Sequence, residues 1–386
     1  MVRYLPLILK NCWRNRRRTI LTILSIGVSM CLLGVMISLY YAFFLSDPTP
    51  DQARRLVVRN RISLAQPMPI AYQRRIEQVP GVQVSMIANW FGGTYKDNRD
   101  PKNQFARFAV EPEKLFTLYG EAKIPEDQKQ AWYRDRASCV IGREVQQAHN
   151  LKIGDKIHLT GDIYPGEFEF TIAGIFDLPG PSQVMYFNKE YLEQGMSERR
   201  RGNVGMFYAR IDDPAKSAEI SNAVDELFRN ATAQTKTESE QAFVVGFLAF
   251  LGNVKVMLMA FAGAVMFTVM LVSANTMAMS VRERVREVGV LKTLGFTPGS
   301  ILGIILGEAC AISLVGGAIG YGISMFLMQG VVASPIGGFL PSYKIFEPTV
   351  AIVCVASAAA IGLCSALIPA MGASRIPIVA ALRRAD

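Results

Sequence analysis

Four long apolar runs constrain this chain more than any other feature of its sequence. The first, Ile20 to Leu45, and the second, Val256 to Val281, contain no charged residue. The third, Ile301 to Leu340, contains only Glu308, and the fourth, Pro348 to Ser374, contains none. A helix needs about 20 apolar residues to cross the hydrocarbon core of a bilayer. The sequence therefore predicts four membrane-spanning helices.

The first run is not typical of a cleaved signal peptide. A signal core has about 7–15 apolar residues and ends at a small-residue cleavage site, whereas Ile20 to Leu45 is longer and no such site follows at Leu45-Ser46-Asp47. We interpret it as a retained span. The composition agrees, because 51% of the residues are hydrophobic and only 19% are charged, which is unusual for a soluble domain.

The basic residues lie at the ends of these runs. Between Ser46 and Phe250 the chain has 26 Lys and Arg against 27 Asp and Glu. With totals of 41 basic and 32 acidic residues, 15 basic and 5 acidic residues are left elsewhere, a net charge of +10. They flank the start of the first run, the link between the second and third, and the end of the fourth. The positive-inside rule then places these clusters and both termini in the cytoplasm. Nucleic-acid binding is excluded as the cause, because the basic residues do not cover a soluble face.

These features predict an integral membrane α-helical protein with a large mixed α and β domain between spans 1 and 2. The predicted order is an amphipathic cytoplasmic lead helix (1–18), span 1 (19–45), an extracytoplasmic domain (46–250), span 2 (251–281), a cytoplasmic coupling helix (282–299), span 3 (300–330), a short periplasmic loop (331–347), span 4 (348–373) and a cytoplasmic tail (374–386). Within the inserted domain, Lys156 to Leu159 and Phe168 to Leu178 alternate as strands do. Thr232 to Gln241 is polar, and we expect it to be the approach to the membrane.

Motifs for catalysis and cofactor binding are missing from the sequence. There is no G-x-x-x-x-G-K-[ST] loop for ATP, no G-x-S-x-G and no H-E-x-x-H. His149 and His158, the only histidines, have no metal-ligand spacing, and Cys139 is the only cysteine of the inserted domain. We therefore expect no catalytic residues, no metal site and no cofactor in this chain.

Two polar residues lie within the predicted spans. Polar groups are costly in the hydrocarbon core and usually have a partner there. Glu308 lies about two turns into span 3, and we expect it to pair with an arginine of the cytoplasmic link in a structural role; a proton-relay role is the alternative. Asn275 in span 2 is expected to hydrogen-bond a neighbouring helix.

The link VRERVREVGVLKTLGFTP, Val281 to Pro298, is charged but has the pattern of a helix. Val281, Val285 and Val288 form one apolar stripe, which Leu291 and Leu294 continue less cleanly. A plain positive-inside loop would explain the arginines but not this stripe or the glutamates. Such a helix suits docking into a groove on a cytoplasmic partner.

This link and the residues after it resemble the signature of the FtsX-like and MacB-like ABC permease superfamily, an R-x-R-E-[IV]-G-[VIL]-L-[RK]-[AT]-[LI]-G segment followed by a span with Glu308. The C-terminal PAMGASRIPIVAALR resembles the ending of that family. FAVEPEKLF and VIGREVQQAHNLKIGDKIHLTG resemble segments of the MacB-type periplasmic domain, although Ala109 replaces the usual glycine. The similarity covers nearly the whole chain in order.

The resemblance implies a four-span permease of the bacterial inner membrane that dimerises with an identical or paralogous copy. It implies a separate cytoplasmic ABC ATPase dimer that binds ATP and Mg²⁺, and transmission of its movement through the spans to the periplasmic domains. The coupling residues that the resemblance implies are Arg282, Arg284, Arg286, Glu287, Gly289, Lys292 and Gly295. In this interpretation Arg286 and Glu287 contact the ATPase, and Gly289 allows close approach of the backbones. A periplasmic adaptor and an outer-membrane channel are further possible partners, besides membrane lipid.

Three functional interpretations follow. The first is export or extraction of a substrate; a drug, a peptide, a lipid and a lipoprotein all fit. The second is an FtsX-type signal transmitter that transports nothing and activates a periplasmic cell-wall hydrolase; the large external domain favours the first. The third, a membrane enzyme, needs a polar or metal cluster beside the spans, which the sequence does not show.

Overall fold

The computed structural model describes residues 16–45, 48–97, 99–179, 182–196, 198–250, 253–332 and 347–383. The chain folds into two compact units. One comprises 1–41, 253–329 and 344–386, and the other comprises 42–252 and 330–343. Most of the predicted lead helix and of the loop 331–347 lies outside the described residues.

The first unit contains four helices that are long and apolar enough to cross a membrane. They are span 1 (Arg16–Phe44), span 2 (Val254–Glu283), span 3 (Pro298–Val332) and span 4 (Pro348–Arg375). Spans 3 and 4 both begin at a proline, whose missing N–H and fixed φ suit the first turn of a helix. The four-span prediction is confirmed.

Small residues let the spans pack closely. A Cβ atom built on Gly320 of span 3 would stand 2.4 Å from the carbonyl oxygen of Gly27 in span 1, so only glycine fits there. A Cβ on Gly317 would stand 2.6 Å from the Cβ of Ala358 in span 4. Because lipid tails are as apolar as the side chains, such close contact is a main source of helix association in membranes.

The second unit, the inserted domain, is built on a ten-stranded mixed sheet in the order β12-β1-β11-β3-β5-β9-β6-β8-β7-β4, with β10 and β2 paired separately. The strands are β1 (Arg55–Asn60), β2 (Met68–Pro69), β3 (Val82–Trp90), β4 (Gly93–Thr94), β5 (Ala106–Val110), β6 (Ser138–Gly142), β7 (Lys156–Gly161), β8 (Gly166–Phe176), β9 (Val184–Asn188), β10 (Asn203–Val204), β11 (Met206–Ile211) and β12 (Thr235–Ser239). The pairs β5–β9 and β6–β8 are parallel, and the other pairs of this sheet are antiparallel.

Helices cover the sheet of the inserted domain. They are Tyr72–Glu77, Pro112–Leu118, Glu126–Arg134, Arg143–His149, Lys189–Gly195, Ser217–Leu227 and Glu240–Phe250. Side chains alternate between the faces of each strand. In β1, Leu56 and Val58 pack into one apolar core, and Val57 packs into the core on the opposite face. The two predicted strands, within β7 and β8, are confirmed.

The polar stretch Thr232 to Gln241, expected as the approach to the membrane, contains a strand that the sequence analysis did not predict. Part of this polar stretch is strand β12, which pairs antiparallel with β1, so that Leu56 lies opposite Ser239. Thr235 and Thr237 are buried and donate hydrogen bonds to the carboxylate of Asp225. Buried polar groups need such partners, and sequence polarity alone does not show that they exist.

Candidate functional site

The link between spans 2 and 3 is a short helix, Val285–Thr293, which we call the linker helix. It is shorter than the predicted 282–299 and is not continuous with span 2. At Arg284 the amide donates to the carbonyl of Val281, three residues back, and the backbone has φ −109° and ψ 12°. This departure from α-helical geometry ends span 2 and starts a new helix.

Gly295 ends the linker helix through a Schellman motif. Its φ is +89°, which non-glycine residues rarely adopt. The amide of Phe296 donates to the carbonyl of Leu291, and the amide of Gly295 donates to that of Lys292, which is the hydrogen-bond pattern of this cap. Gly295 thus sets the turn towards span 3.

The inner side of the linker helix is held to span 3 by charge. Arg284 donates from Nη1 to Glu308 Oε2 at 2.6 Å and from Nε to Glu287 Oε2 at 3.2 Å. The side chains of Arg284 and Glu308 are only 18% and 9% exposed. The expected pairing of Glu308 with an arginine of the link is therefore present, and Arg284 holds the helices together rather than facing outward.

Two more ion or dipole contacts hold the ends of the spans in place. Lys292 donates to the carbonyl oxygen of Ile376 at 2.6 Å, at the C-terminal end of span 4, where a cation also interacts well with the helix dipole. Arg18 in span 1 pairs with Glu283 and donates to Ser280 Oγ at 2.7 Å, both in span 2. The sequence analysis did not single out the roles of Arg18, Ser280 and Glu283, because nothing in their spacing links span 1 to span 2.

The opposite side of the linker helix is open. Val285, Val288 and Gly289 are buried, whereas Arg286 is exposed and Val290 and Leu294 are 46% and 70% exposed. We call Arg286, Val290 and Leu294, at positions i, i+4 and i+8, the outer face. Leu294 therefore does not continue the buried valine stripe as expected, and Val290 is a member of this face that the sequence analysis missed.

The other predicted positions are distributed differently. Arg282 is exposed at the end of span 2, and Glu287 is half-buried between Arg284 and solvent. Asn275 does not bond a neighbouring helix within the described residues; it is exposed. It lines a cavity of about 250 Å³ between spans 1 and 2, together with Arg18 and Thr22. The expectation of an interhelical hydrogen bond for Asn275 is wrong.

Metal-ligating side chains do not converge in the part of the chain that the structure describes, where no three or more His, Cys, Asp or Glu side chains form a possible metal site. His149 Nε2 donates a hydrogen bond to the Lys102 carbonyl oxygen at 2.9 Å, and His158 lies 3.4 Å from Glu169. The exposed apolar side chains of the linker helix suit contact with another macromolecule.

Comparisons with known proteins agree with this organisation. Residues 19–227 match the family model of the MacB-like periplasmic core domain, and residues 259–378 match that of the FtsX-like permease C-terminal region. An uncharacterized ABC transporter permease of Methanocaldococcus jannaschii is 25% identical over 344 residues, covering 84% of this chain and 83% of its own length.

Two further proteins match part of the chain. The macrolide export ATP-binding/permease protein MacB of Shigella sonnei is 34% identical over 111 residues, which are 28% of this chain and 16% of that protein. The crystal structure of the periplasmic region of MacB from Actinobacillus actinomycetemcomitans covers 50% of this chain and 92% of its own, at 10% identity and a TM-score of 0.37. The model of the MacB-like periplasmic core domain matches residues 19–227, more than half of the chain. This protein therefore belongs to the MacB-like family and is an ABC transporter permease of the MacB and FtsX type.

Proposed function

We propose that this chain is the permease subunit of an ABC transporter that takes its energy from a separate cytoplasmic ATPase. The linker helix receives the movement of the ATPase, and the spans pass it to the inserted domain on the far side of the membrane. Export or extraction of a drug, peptide, lipid or lipoprotein follows from that movement. The subunit lies in the inner membrane with both termini in the cytoplasm and works with a second permease copy.

The observation that carries this proposal is the difference between the two sides of the linker helix. Its inner side is fixed by the Arg284–Glu308 pair and by the Lys292 contact with Ile376. Its outer face leaves two large apolar side chains beside the cation of Arg286 exposed. A helix fixed on one side and apolar on the other is suited to a groove on a partner, and its movement must then shift the spans to which it is tied.

The chemistry of the outer face defines the expected partner surface. Val290 and Leu294 call for an apolar groove floor, and Arg286 calls for a carboxylate at its rim. Steering by that charge changes the association rate and its salt dependence more than the final affinity. Glu287 already accepts a hydrogen bond from Arg284. A contact between Glu287 and the ATPase therefore requires that the Glu287 carboxylate bind Arg284 and the ATPase at the same time.

The experiment is affinity purification of the tagged chain in mild detergent, followed by ATP hydrolysis of the purified complex. Leu294→Ala and Arg286→Glu should each reduce the hydrolysis that the permease stimulates, and should reduce recovery of the ATPase. Leu227→Ala and Arg229→Glu are matched controls, because both residues are exposed in the inserted domain. A stoichiometric P-loop ATPase that stays bound and fully stimulated in both outer-face variants would refute the docking role.

The proteins that co-purify also separate the functional alternatives. An ATPase together with an adaptor or a lipoprotein carrier supports transport. A cell-wall hydrolase in place of these supports signal transmission by the same helix. A purified chain without any ATPase would overturn the proposal.

A further inference from the structure

Two arginines lie opposite each other at the start of strand β1 in the inserted domain. Arg55 begins β1, the strand that the chain reaches after span 1, and its antiparallel partner in β11 is Arg210. Strand β12, on the other side of β1, leads directly to Glu240, the first residue of the helix Glu240–Phe250 that precedes span 2. The segments that arrive from span 1 and leave for span 2 are therefore hydrogen-bonded neighbours.

Arg55 connects three separate parts of the inserted domain. Its Nε donates to Glu240 Oε2 at 2.7 Å, and its Nη1 pairs with Glu121 Oε1. Its guanidinium also lies over the ring of Tyr119, 4.5 Å from the centroid. The Arg55 side chain is only 3% exposed. Bonds from an ionised donor in such a low-dielectric place are stronger than neutral ones.

Arg210 makes a second connection beside the first. Its Nη2 donates to Asp51 Oδ1 at 2.8 Å, and its Nη1 donates to the carbonyl of Leu118 at 2.9 Å. Asp51 lies between span 1 and β1, and Leu118 ends the helix Pro112–Leu118. Each arginine thus binds a segment that is close in sequence to a span, Glu240 for Arg55 and Asp51 for Arg210. Each also binds the Leu118–Glu121 stretch.

The charges around Arg55 exceed what one guanidinium needs. One carboxylate would neutralise it, and a second leaves an excess negative charge in a buried place, which is unfavourable. Glu121 Oε2 is buried and has no hydrogen-bond partner among the described residues. Burial raises the pKa of the Glu240 carboxyl, although Arg55 lowers it. Neutralisation of Arg55 alone does not account for this second carboxylate.

We propose that Arg55 is a positioning residue that holds the strand after span 1, the helix before span 2 and the Leu118–Glu121 stretch as one rigid unit. Displacement of span 2 is then passed through Glu240 into the sheet instead of being lost in a flexible connection. The source of the displacement rests on the proposed function, but the rigid unit itself does not. We call it the Arg55 clamp.

Glu240→Ala tests the clamp, because it removes the hydrogen bond between Arg55 and the helix Glu240–Phe250 and leaves Glu121 to neutralise Arg55. Hydrogen exchange of the full-length chain in nanodiscs is measured first, without nucleotide. If the clamp is one unit, Glu240→Ala should speed exchange roughly tenfold in β1, in Glu240–Phe250 and in the Leu118–Glu121 stretch together. Faster exchange limited to Glu240–Phe250, or none at all, would overturn the clamp.

Arg59→Gln is the matched control. Arg59 pairs with Glu238 at 2.8 Å and joins the same strands β1 and β12, but it does not reach the helix Glu240–Phe250. Glu238 keeps a second partner in Lys236 at 2.7 Å, so this variant should fold. Its exchange should increase only locally. An effect that spreads as far as that of Glu240→Ala would show that loss of any ion pair between β1 and β12 is enough, which would contradict the clamp.

A second measurement separates the clamp from the proposed function. Exchange is compared with and without a non-hydrolysable ATP analogue in the complex with its ATPase. In the wild-type protein and Arg59→Gln, nucleotide should change exchange in the sheet. In Glu240→Ala it should not, while stimulated ATP hydrolysis persists. A response of Glu240→Ala equal to that of wild type refutes the clamp. No nucleotide response in the wild-type protein refutes the proposed function. The change in exchange measured without nucleotide, in all three segments together, then still tests the clamp.

Discussion

The ion pair between Arg284 and Glu308 should be far more sensitive to loss of the arginine than to loss of the carboxylate. Arg284→Met removes the cation beside Glu308, whose carboxylate is nearly inaccessible, and one of the contacts of Glu287. Glu308→Gln leaves Arg284 bonded to Glu287 and able to bond the new amide. The two single variants remove the same contact but leave different residual charges.

The magnitude follows from the geometry of this pair. Two unit charges about 4 Å apart attract by about 4 kcal/mol at an effective dielectric constant near 20, and truncation of one partner of a buried pair costs roughly 3–5 kcal/mol. Partial exposure of Arg284 places Arg284→Met at the lower end, about 3 kcal/mol. Glu308→Gln should cost about 1 kcal/mol, because one charged hydrogen bond to Arg284 survives. The double variant Arg284→Met, Glu308→Leu should recover much of the loss.

Cysteine accessibility provides the assay. Cys31 in span 1 and Cys354 in span 4 are buried, as is Cys139 in the inserted domain, so a thiol-reactive dye reports unfolding during a temperature ramp. Mass spectrometry of the labelled peptides separates the spans from the inserted domain. Arg286→Met is the matched control, because Arg286 lies on the same helix but is exposed. Equal unfolding temperatures for Arg284→Met and Glu308→Gln would refute the charge argument.

Three further outcomes are expected from single changes. Gly295→Ala should lower the stability of the linker helix by about 1 kcal/mol, because alanine resists the positive φ of its cap; its stimulated ATP hydrolysis should fall, and an unchanged rate would contradict the capping role. Gly320→Leu should prevent spans 1 and 3 from packing and expose Cys31 to thiol dyes, whereas Gly322→Leu, at a site with open space, should not. The folded-state pKa of Glu240 is raised above its ordinary value of 4.5. The unfolded chain therefore loses this proton at a lower pH than the folded chain does, and stability falls as pH rises from 4.5 towards the raised pKa. Glu240→Gln should remove that dependence in thermal unfolding measured against pH.

The sequence alone determined the membrane architecture of this protein. Apolar runs of sufficient length can be satisfied only by spanning helices, and the positions of the basic residues then predict the orientation. Both signals are local, because each is a property of one segment and its ends. The pairing of Glu308 with an arginine of the link could also be predicted from the sequence. A buried carboxylate needs a cation, and only one cluster of arginines lies nearby in the chain.

Only the tertiary structure decided which side of the linker helix faces outward. The valine stripe predicted its inner side, and Leu294 lies on the opposite side because nine residues after Val285 are about two and a half helical turns. Whether another part of the chain covers that opposite side depends on how the spans are arranged around the link, which no local pattern encodes.

The Arg55 clamp shows the same limit more strongly. Arg55, Glu121 and Glu240 are far apart in sequence and meet only because β12 returns to pair with β1. From the sequence alone, a polar stretch resembles a loop. Only when its partner strand is known does it become clear that its buried polar side chains hydrogen-bond to groups elsewhere in the chain. Pairing over such distances is set by the whole sheet, and so the contacts that join the inserted domain to its two connections could be identified only in the folded protein.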